Sequence, residues 1–247
     1  MAKAEPDESP GTVLPWDSEF FGFRIGRLAT SRLTPGSLRA TLAWAAAEKL
    51  RCAYFFAQAD DAETLVLAHE GGFRFVDMRM ELAVDLPAAL DRPASPVLRA
   101  AVAADLPDLE ALARISHDDT RFFKDPAFPA DRSAELYAAW IRRDFQRHRI
   151  LVATDESGHI AGYVTCQTEN APAIGRIGLI AVAETARRRG LGRALVTGAL
   201  QWFHGEGLRH VRVVTQASNV PAQRVYQSLG FRTAETGATF HRWFDPS

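Results

Sequence analysis

The chain has 247 residues, enough for two domains of ordinary size, and its apolar share of 47% is that of a folded globular protein. A formal charge of −1, with no basic run interleaved with aromatics, gives no reason to expect nucleic acid or a membrane as partner. No stretch stays apolar for the ~20 residues of a bilayer crossing, and Cys52 and Cys166 have no Cys or His at ligand spacing. The expectation is therefore a soluble, cytoplasmic protein with neither a metal site nor a disulfide.

Residues 1–13 are rich in Ala, Glu, Pro, Asp and Ser and lack the basic head and apolar stretch of a secretory signal, so they read as a disordered tail. A first domain is expected over 14–90. Residues 90–96 (LDRPASP), two prolines among small polar residues, read as a linker to a second domain over 97–247. There, 97–101 is a predicted strand, and Asp105 can cap a helix whose Leu106, Leu109, Leu112 and Ile115 recur at helical spacing. A long loop over 116–130 precedes a second helix, 131–148, burying Leu136, Tyr137, Trp140, Ile141 and Phe145. Strands 150–153 and 159–167 flank a polar stretch ending in Gly158, which makes a hairpin. A strand over 176–182, a loop, a helix over 191–204, a strand over 211–216, a short helix and a final strand complete the order.

The first half overlays the second at one constant offset. Trp44 falls on Trp202, Leu50 and Arg51 on Leu208 and Arg209, Gln58 and Ala59 on Gln216 and Ala217, and Gly72 to Arg74 on Gly230 to Arg232. Chance agreement between two helix-strand-helix units is the alternative. Where the second half has Arg187, Gly190, Gly192, Asn219 and Tyr226, the first has Ala29, Arg32, Thr34, Asp61 and Ala68, so only the second can do chemistry.

The segment 182–193 (VAETARRRGLGR) joins a strand to a helix whose Leu191, Leu195, Ala199 and Trp202 form an apolar stripe. Backbone N–H groups at a helix start lack partners and lie at the positive end of its dipole, so an anion docks there. Gly190 and Gly192 let the backbone approach a phosphate closely, and Arg187, Arg188, Arg189 and Arg193 supply charge. A solvated basic helix start is the plainer reading of the same residues. Neither a Walker A motif nor a dinucleotide fingerprint fits, since the Lys-Ser/Thr pair and the third glycine are both missing.

These residues, followed by Asn219, Tyr226 and Gly230-Phe231, resemble the GNAT superfamily of N-acetyltransferases over 97–244. The resemblance implies an α/β fold: a central mixed, mostly antiparallel sheet flanked by helices, preceded here by a smaller degenerate GNAT-like domain. It implies acetyl-CoA as co-substrate, held in a V between two splayed strands. The cofactor-binding residues it implies are Ile180, Ala181, Val182, Arg187, Arg188, Arg189, Gly190, Leu191, Gly192, Arg193, Asn219 and Ala222. Amine attack on a thioester needs a neutral amine, a polarised carbonyl and a proton for the thiolate. The resemblance gives the last role to Tyr226, whose alternative is a packed core aromatic; Asn219 reads equally as the cap of a helix. No general base stands out among His117, Asp118, Asp119 and Glu169.

A narrower resemblance rests on 14–22 (LPWDSEFFG), 120–129 (TRFFKDPAFP) and 137–141 (YAAWI), which are similar to the bacterial TDP-fucosamine acetyltransferases. It implies a small-molecule amine substrate, the 4-amino group of a nucleotide-linked sugar. The sequence leaves the oligomeric state open, a homodimer being one option. Arg121 and Lys124 could pair with a diphosphate and Phe122 stack on a base or sugar, or the phenylalanines could simply anchor the loop. A protein N-terminus, a polyamine or an antibiotic amine are alternative acceptors. A non-catalytic acyl-CoA sensor is the alternative from another class.

Overall fold

The computed structural model describes residues 9–89, 98–155, 157–170 and 173–245. Residues 1–8 of the expected tail and the linker expected at 90–96 lie outside the described residues. The chain divides into two compact units, Met1–Arg79 with Thr236–Ser247, and Met80–Glu235. The second unit thus starts before the expected linker, and the end of the chain returns to the first.

The first unit holds β1 (Gly11–Val13), α1 (Pro15–Phe21), β2 (Ile25–Leu28), α2 (Pro35–Ala47), β3 (Cys52–Gln58), α3 (Ala62–Glu70) and the start of β4 (Arg74–Asp85). Gly11–Val13, expected within the tail, is instead a strand that pairs antiparallel with β2 from Leu28 to Gly26. β2 runs parallel to β3. Local sequence sets the helix ends. Pro15 and Pro35 open α1 and α2, and Gly22 closes α1 in the left-handed region at φ 79°. Phe55, Phe73, Phe240, Leu28 and Leu50 form the core of this unit.

The second unit holds β5 (Leu98–Ala100), α4 (Leu106–Ser116), α5 (Arg121–Lys124), α6 (Ala130–Arg147), β6 (Arg149–Thr154), β7 (Ile160–Asn170), β8 (Ala173–Val182), α7 (Leu191–Gly205), β9 (His210–Gln216), α8 (Val220–Ser228) and the start of β10 (Arg232–Trp243). β5 through β8 pair antiparallel in succession, and β8 pairs parallel with β9. Together with the helices this is the expected mixed, mostly antiparallel α/β arrangement. On α7, Leu195, Val196, Ala199 and Phe203 pack on Val164, Cys166 and Val213. The opposite face of β7 carries Tyr163 and Gln167, which reach residues of the α4 to α6 segment.

Three local expectations change. Asp105 ends a short 3₁₀ turn, where its carboxylate takes hydrogen bonds from the Val102 N–H (2.8 Å) and the Arg99 guanidinium (2.6 and 2.8 Å) instead of capping α4. Ile115, placed on the apolar stripe of α4, is 71% exposed, because each three-residue step falls about 60° short of a turn and the buried face follows Leu109, Leu112 and Ala113 instead. The expected long loop contains α5, which Phe122 anchors from inside.

The internal repeat holds at the level of elements. At the constant offset of the sequence overlay, Cys52–Gln58 falls on His210–Gln216, Ala62–Glu70 on Val220–Ser228, and Arg74–Asp85 on Arg232–Trp243, with no residue of mismatch. Turns match as well: Lys49 and Gly72 have positive φ, and so do their counterparts Gly207 and Gly230. The last strand also explains the return of the chain, since Gly237–Trp243 pairs antiparallel with β3 from Gln58 to Cys52.

Candidate active site

β8 and β9 share a ladder only from Ile174 to Ile177 against His210 to Val213; beyond it the described strands have no further rungs. On its other edge β8 carries a bulge. Val164 faces Ile180 and Cys166 faces Ile177, so Gly178 and Leu179 together oppose Thr165 alone. Thr165 Oγ1 accepts the Leu179 N–H at 2.9 Å, which fixes the extra residue. Gly178 is required here, since a Cβ would lie 2.5 Å from both Thr165 Oγ1 and Gln167 Nε2. The strand therefore turns away from β9 as it approaches Ile180 to Val182.

A 3₁₀ turn, Glu184–Ala186, leads from β8 to α7. The N-cap of α7 is Gly190, at φ 80° and without a side-chain cap, and the first helical bond runs from the Ala194 N–H to Gly190 O (3.0 Å). The N–H groups of Leu191, Gly192 and Arg193 thus precede any intrahelical acceptor. A Cβ on Gly190 would meet nothing within 4 Å, and one on Gly192 only Val182 Cγ2 at 3.9 Å, so both glycines border open space. The corresponding helix of the first unit is closed at this point. Thr34 Oγ1 accepts the Ser37 N–H while Ser37 Oγ accepts the Thr34 N–H, and Pro35 removes another donor. Of these two corresponding helices, α7 starts without a side-chain cap and α2 with a reciprocal one.

A cavity of about 410 Å³ lies beside this helix start. It is lined by Ile180, Ala181 and Val182 from β8, Arg187 and Gly192 from the α7 entry, and Asn219, Ala222 and Tyr226 from α8 and its cap. Tyr226 is buried, yet among the described residues its hydroxyl has no hydrogen-bond partner. Burial raises its pKa, so the phenol keeps its proton at neutral pH. Asn219, also in the lining, caps α8 through Oδ1, which accepts the Ala222 N–H (3.2 Å).

Arg188, Arg189, Gly190, Leu191 and Arg193 stand outside the lining, whereas Arg187 is part of it. Arg188 sits at positive φ, 62°, next to Arg189 and Gly190. Arg187 Nε donates to Val182 O (3.2 Å), and Arg193 is turned to α8, where it donates to Ser228 Oγ (2.6 Å). Leu191 packs on the core of the unit.

The remaining wall comes from Ser116, the last residue of α4, and from Asp118 and Asp119 in the turn after it. Arg121, Phe122 and Lys124 do not line the cavity. Phe122 is 2% exposed and packs edge-on against Phe128 and Trp140, so the loop-anchor reading describes its placement. Arg121 lies over the Phe122 ring, and Lys124 Nζ donates to Ser218 Oγ (3.1 Å) beside Asn219. Glu169 pairs with Arg176 (2.9 Å), near the start of β8. His117 stacks on Tyr137 (4.6 Å between centroids) and its Nε2 lies 2.9 Å from Tyr163 Oη. Burial pushes its imidazole down to about 4 from the ordinary 6.5, with Asp118 pulling the other way. Sequence reasoning missed Ser116, Val196, Pro221 and Val225 in the lining, since nothing local marks them. Gly178, a glycine inside a strand, did carry a readable signal for a bulge.

A strand that leaves its parallel neighbour, an uncapped helix start and a buried phenol meet at one cavity, and the chain belongs to the GNAT family of acetyltransferases, whose profile matches residues 110–231. It is 30% identical over 236 residues to the dTDP-fucosamine acetyltransferase of Escherichia coli O6:H1, covering 93% of this chain and 96% of that one. It is 31% identical over 175 residues to the mycothiol acetyltransferase of Renibacterium salmoninarum, covering 67% of this chain and 50% of that one. The GCN5-related N-acetyltransferase of Sphaerobacter thermophilus shares the fold, with a TM-score of 0.64 at 18% identity over 96% of this chain and 77% of that one. As a member of the family the protein is an acetyl-CoA-dependent acetyltransferase.

Proposed function

We propose that the protein is a cytoplasmic N-acetyltransferase that moves the acetyl group of acetyl-CoA to a primary amine, the 4-amino group of a nucleotide-linked amino sugar. The observation that carries the transfer is the unpartnered Tyr226 hydroxyl in a cavity that also takes in Ile180 to Val182 and the entry to α7. For the acceptor, support comes from the dTDP-fucosamine acetyltransferase of Escherichia coli, similar along almost the whole chain.

Bound acetyl-CoA supplies an activated acetyl thioester. The free amides of Leu191 and Gly192 bind its diphosphate, with Arg187, Arg188 and Arg189 adding charge. The backbone of Ile180 to Val182, beyond the last rung shared with β9, positions the pantetheine arm and offers N–H groups to the acyl carbonyl. Tyr226 holds a proton for the departing thiolate. Its raised pKa does not defeat this role, because the same dry surroundings make a thiolate formed beside it more basic too. Ser116, Asp118 and Asp119 receive the amine on the opposite wall. We assign the first unit as a degenerate copy that binds no coenzyme, its α2 start being closed by Thr34, Pro35 and Ser37.

One observation favours a second reading. The cavity wall carries Asp118 and Asp119, whereas Arg121 and Lys124 stand outside it, and acidic walls suit a polyamine. The deciding experiment follows free thiol while pure protein and acetyl-CoA meet dTDP-4-amino-4,6-dideoxygalactose, spermidine or an N-terminal peptide. The sugar nucleotide is expected to give the highest kcat/KM; a higher value for spermidine overturns the sugar reading.

A further inference from the structure

The cavity has two walls that the sequence places far apart: β8, with Ala181, and the end of α4 and the turn after it, with Ser116, Asp118 and Asp119. Tyr163 lies opposite Ala181 across the β7–β8 ladder, and His117 sits between Ser116 and Asp118. The 2.9 Å contact of His117 Nε2 with Tyr163 Oη therefore ties one wall to the other. We propose that the His117–Tyr163 pair is a positioning device that sets the distance between the acyl-bearing strand and the acceptor-bearing turn.

The surroundings hold the pair rigid. Tyr137 stacks on the imidazole with an interplanar angle of 21°, and its hydroxyl donates to Thr120 Oγ1 at 2.6 Å. Thr120 Oγ1 in turn donates to His117 O (3.2 Å), so the turn is bound at both ends. Tyr163 is fully buried and Tyr137 nearly so, which leaves neither ring room to change rotamer. Neither His117 nor Tyr163 lines the cavity, so both act through the residues that do. With the imidazole neutral, the hydrogen bond joins two uncharged groups and puts no cation next to an amine that must lose its proton. Such a tie matters because a misplacement of about 1 Å between reacting atoms costs on the order of a hundredfold in rate.

This inference rests on the assignment of the cavity as the transfer site. The test uses the full chain as wild type, His117→Phe, Tyr163→Phe, the double variant and His117→Gln, whose amide can still meet the Tyr163 hydroxyl. Acetyl-CoA binding is measured by calorimetry, and transfer is measured to dTDP-4-amino-4,6-dideoxygalactose and to spermidine, taking whichever the wild type acetylates. The acceptor reading thus fails on the wild type alone, and the positioning inference only on the variants. Each Phe variant should lose about tenfold or more in acceptor kcat/KM, by the geometric sensitivity above, with the acetyl-CoA Kd unchanged. The double variant should be no worse than either single one, and His117→Gln should recover most of the loss. Unchanged acceptor kinetics, a Gln variant as poor as the Phe variant, or an acetyl-CoA Kd that weakens in step would each overturn it. If Tyr163→Phe does not fold, the comparison of His117→Phe with His117→Gln decides alone.

Discussion

His117 should make the protein acid-sensitive in a window that its placement defines. Folding lowers its pKa from the ordinary 6.5 to about 4, because burial between Tyr137 and Tyr163 disfavours the charged ring more than Asp118 favours it. The unfolded chain therefore takes up a proton as pH falls through 6.5, while the folded one stays neutral until about 4. Protons bind the unfolded state preferentially over that interval, so stability is intact above 6.5 and is lost progressively toward 4. At about pH 5 the unfolded imidazole is almost fully charged and the folded one only about a tenth charged. Linkage then gives a loss of about 2 kcal/mol relative to about pH 7 from this one group. Carboxylates elsewhere add their own dependence, which a His117→Gln variant retains. Urea unfolding of both proteins at the two pH values should show the wild type losing about 2 kcal/mol more than the variant. Parallel losses would refute the claim that the imidazole is held neutral in the folded protein.

Other outcomes follow from the same geometry. Tyr226→Phe should lower kcat by about a hundredfold or more while leaving the acetyl-CoA Kd by calorimetry within about twofold, since a general acid acts mainly in the transition state. Gly190→Ala should cost about 1–2 kcal/mol in urea unfolding, from the left-handed backbone alone, because the new methyl meets no neighbour within 4 Å. Gly178→Ala should cost more, about 1–3 kcal/mol, since its methyl would press on the buried Thr165 hydroxyl that holds the bulge. It should also weaken acetyl-CoA binding, whereas an unchanged Kd would show that the bulge does not set the splay.

The duplicated architecture gives the two helix starts a direct comparison. Thr34 and Ser37 satisfy each other's amides on α2, and Arg32 donates to Asp61 Oδ2 (2.7 Å) at the cap of α3. The matching positions on the other copy are Gly192 for Thr34, Leu195 for Ser37, Gly190 for Arg32 and Asn219 for Asp61, so α7 has no reciprocal cap while α8 keeps one at the Ala222 N–H.

Much of this was legible in the sequence, because helix starts, caps and strand alternation depend on neighbours a few residues away. The α7 entry from Arg187 to Arg193, the cap at Asn219, the tyrosine at 226 and the offset between the two halves are all local patterns. Their register in the structure is the register read from the residues. Tertiary structure alone decided what depends on distant partners: the pairing of Gly237–Trp243 with β3, the bulge locked by Thr165, and the buried fate of Phe122. It also decided that His117, one candidate base among several, is a neutral ring pinned between two tyrosines. Burial and cross-strand contact are properties of the packed chain, and no spacing along the sequence encodes which side chain will meet another across a sheet.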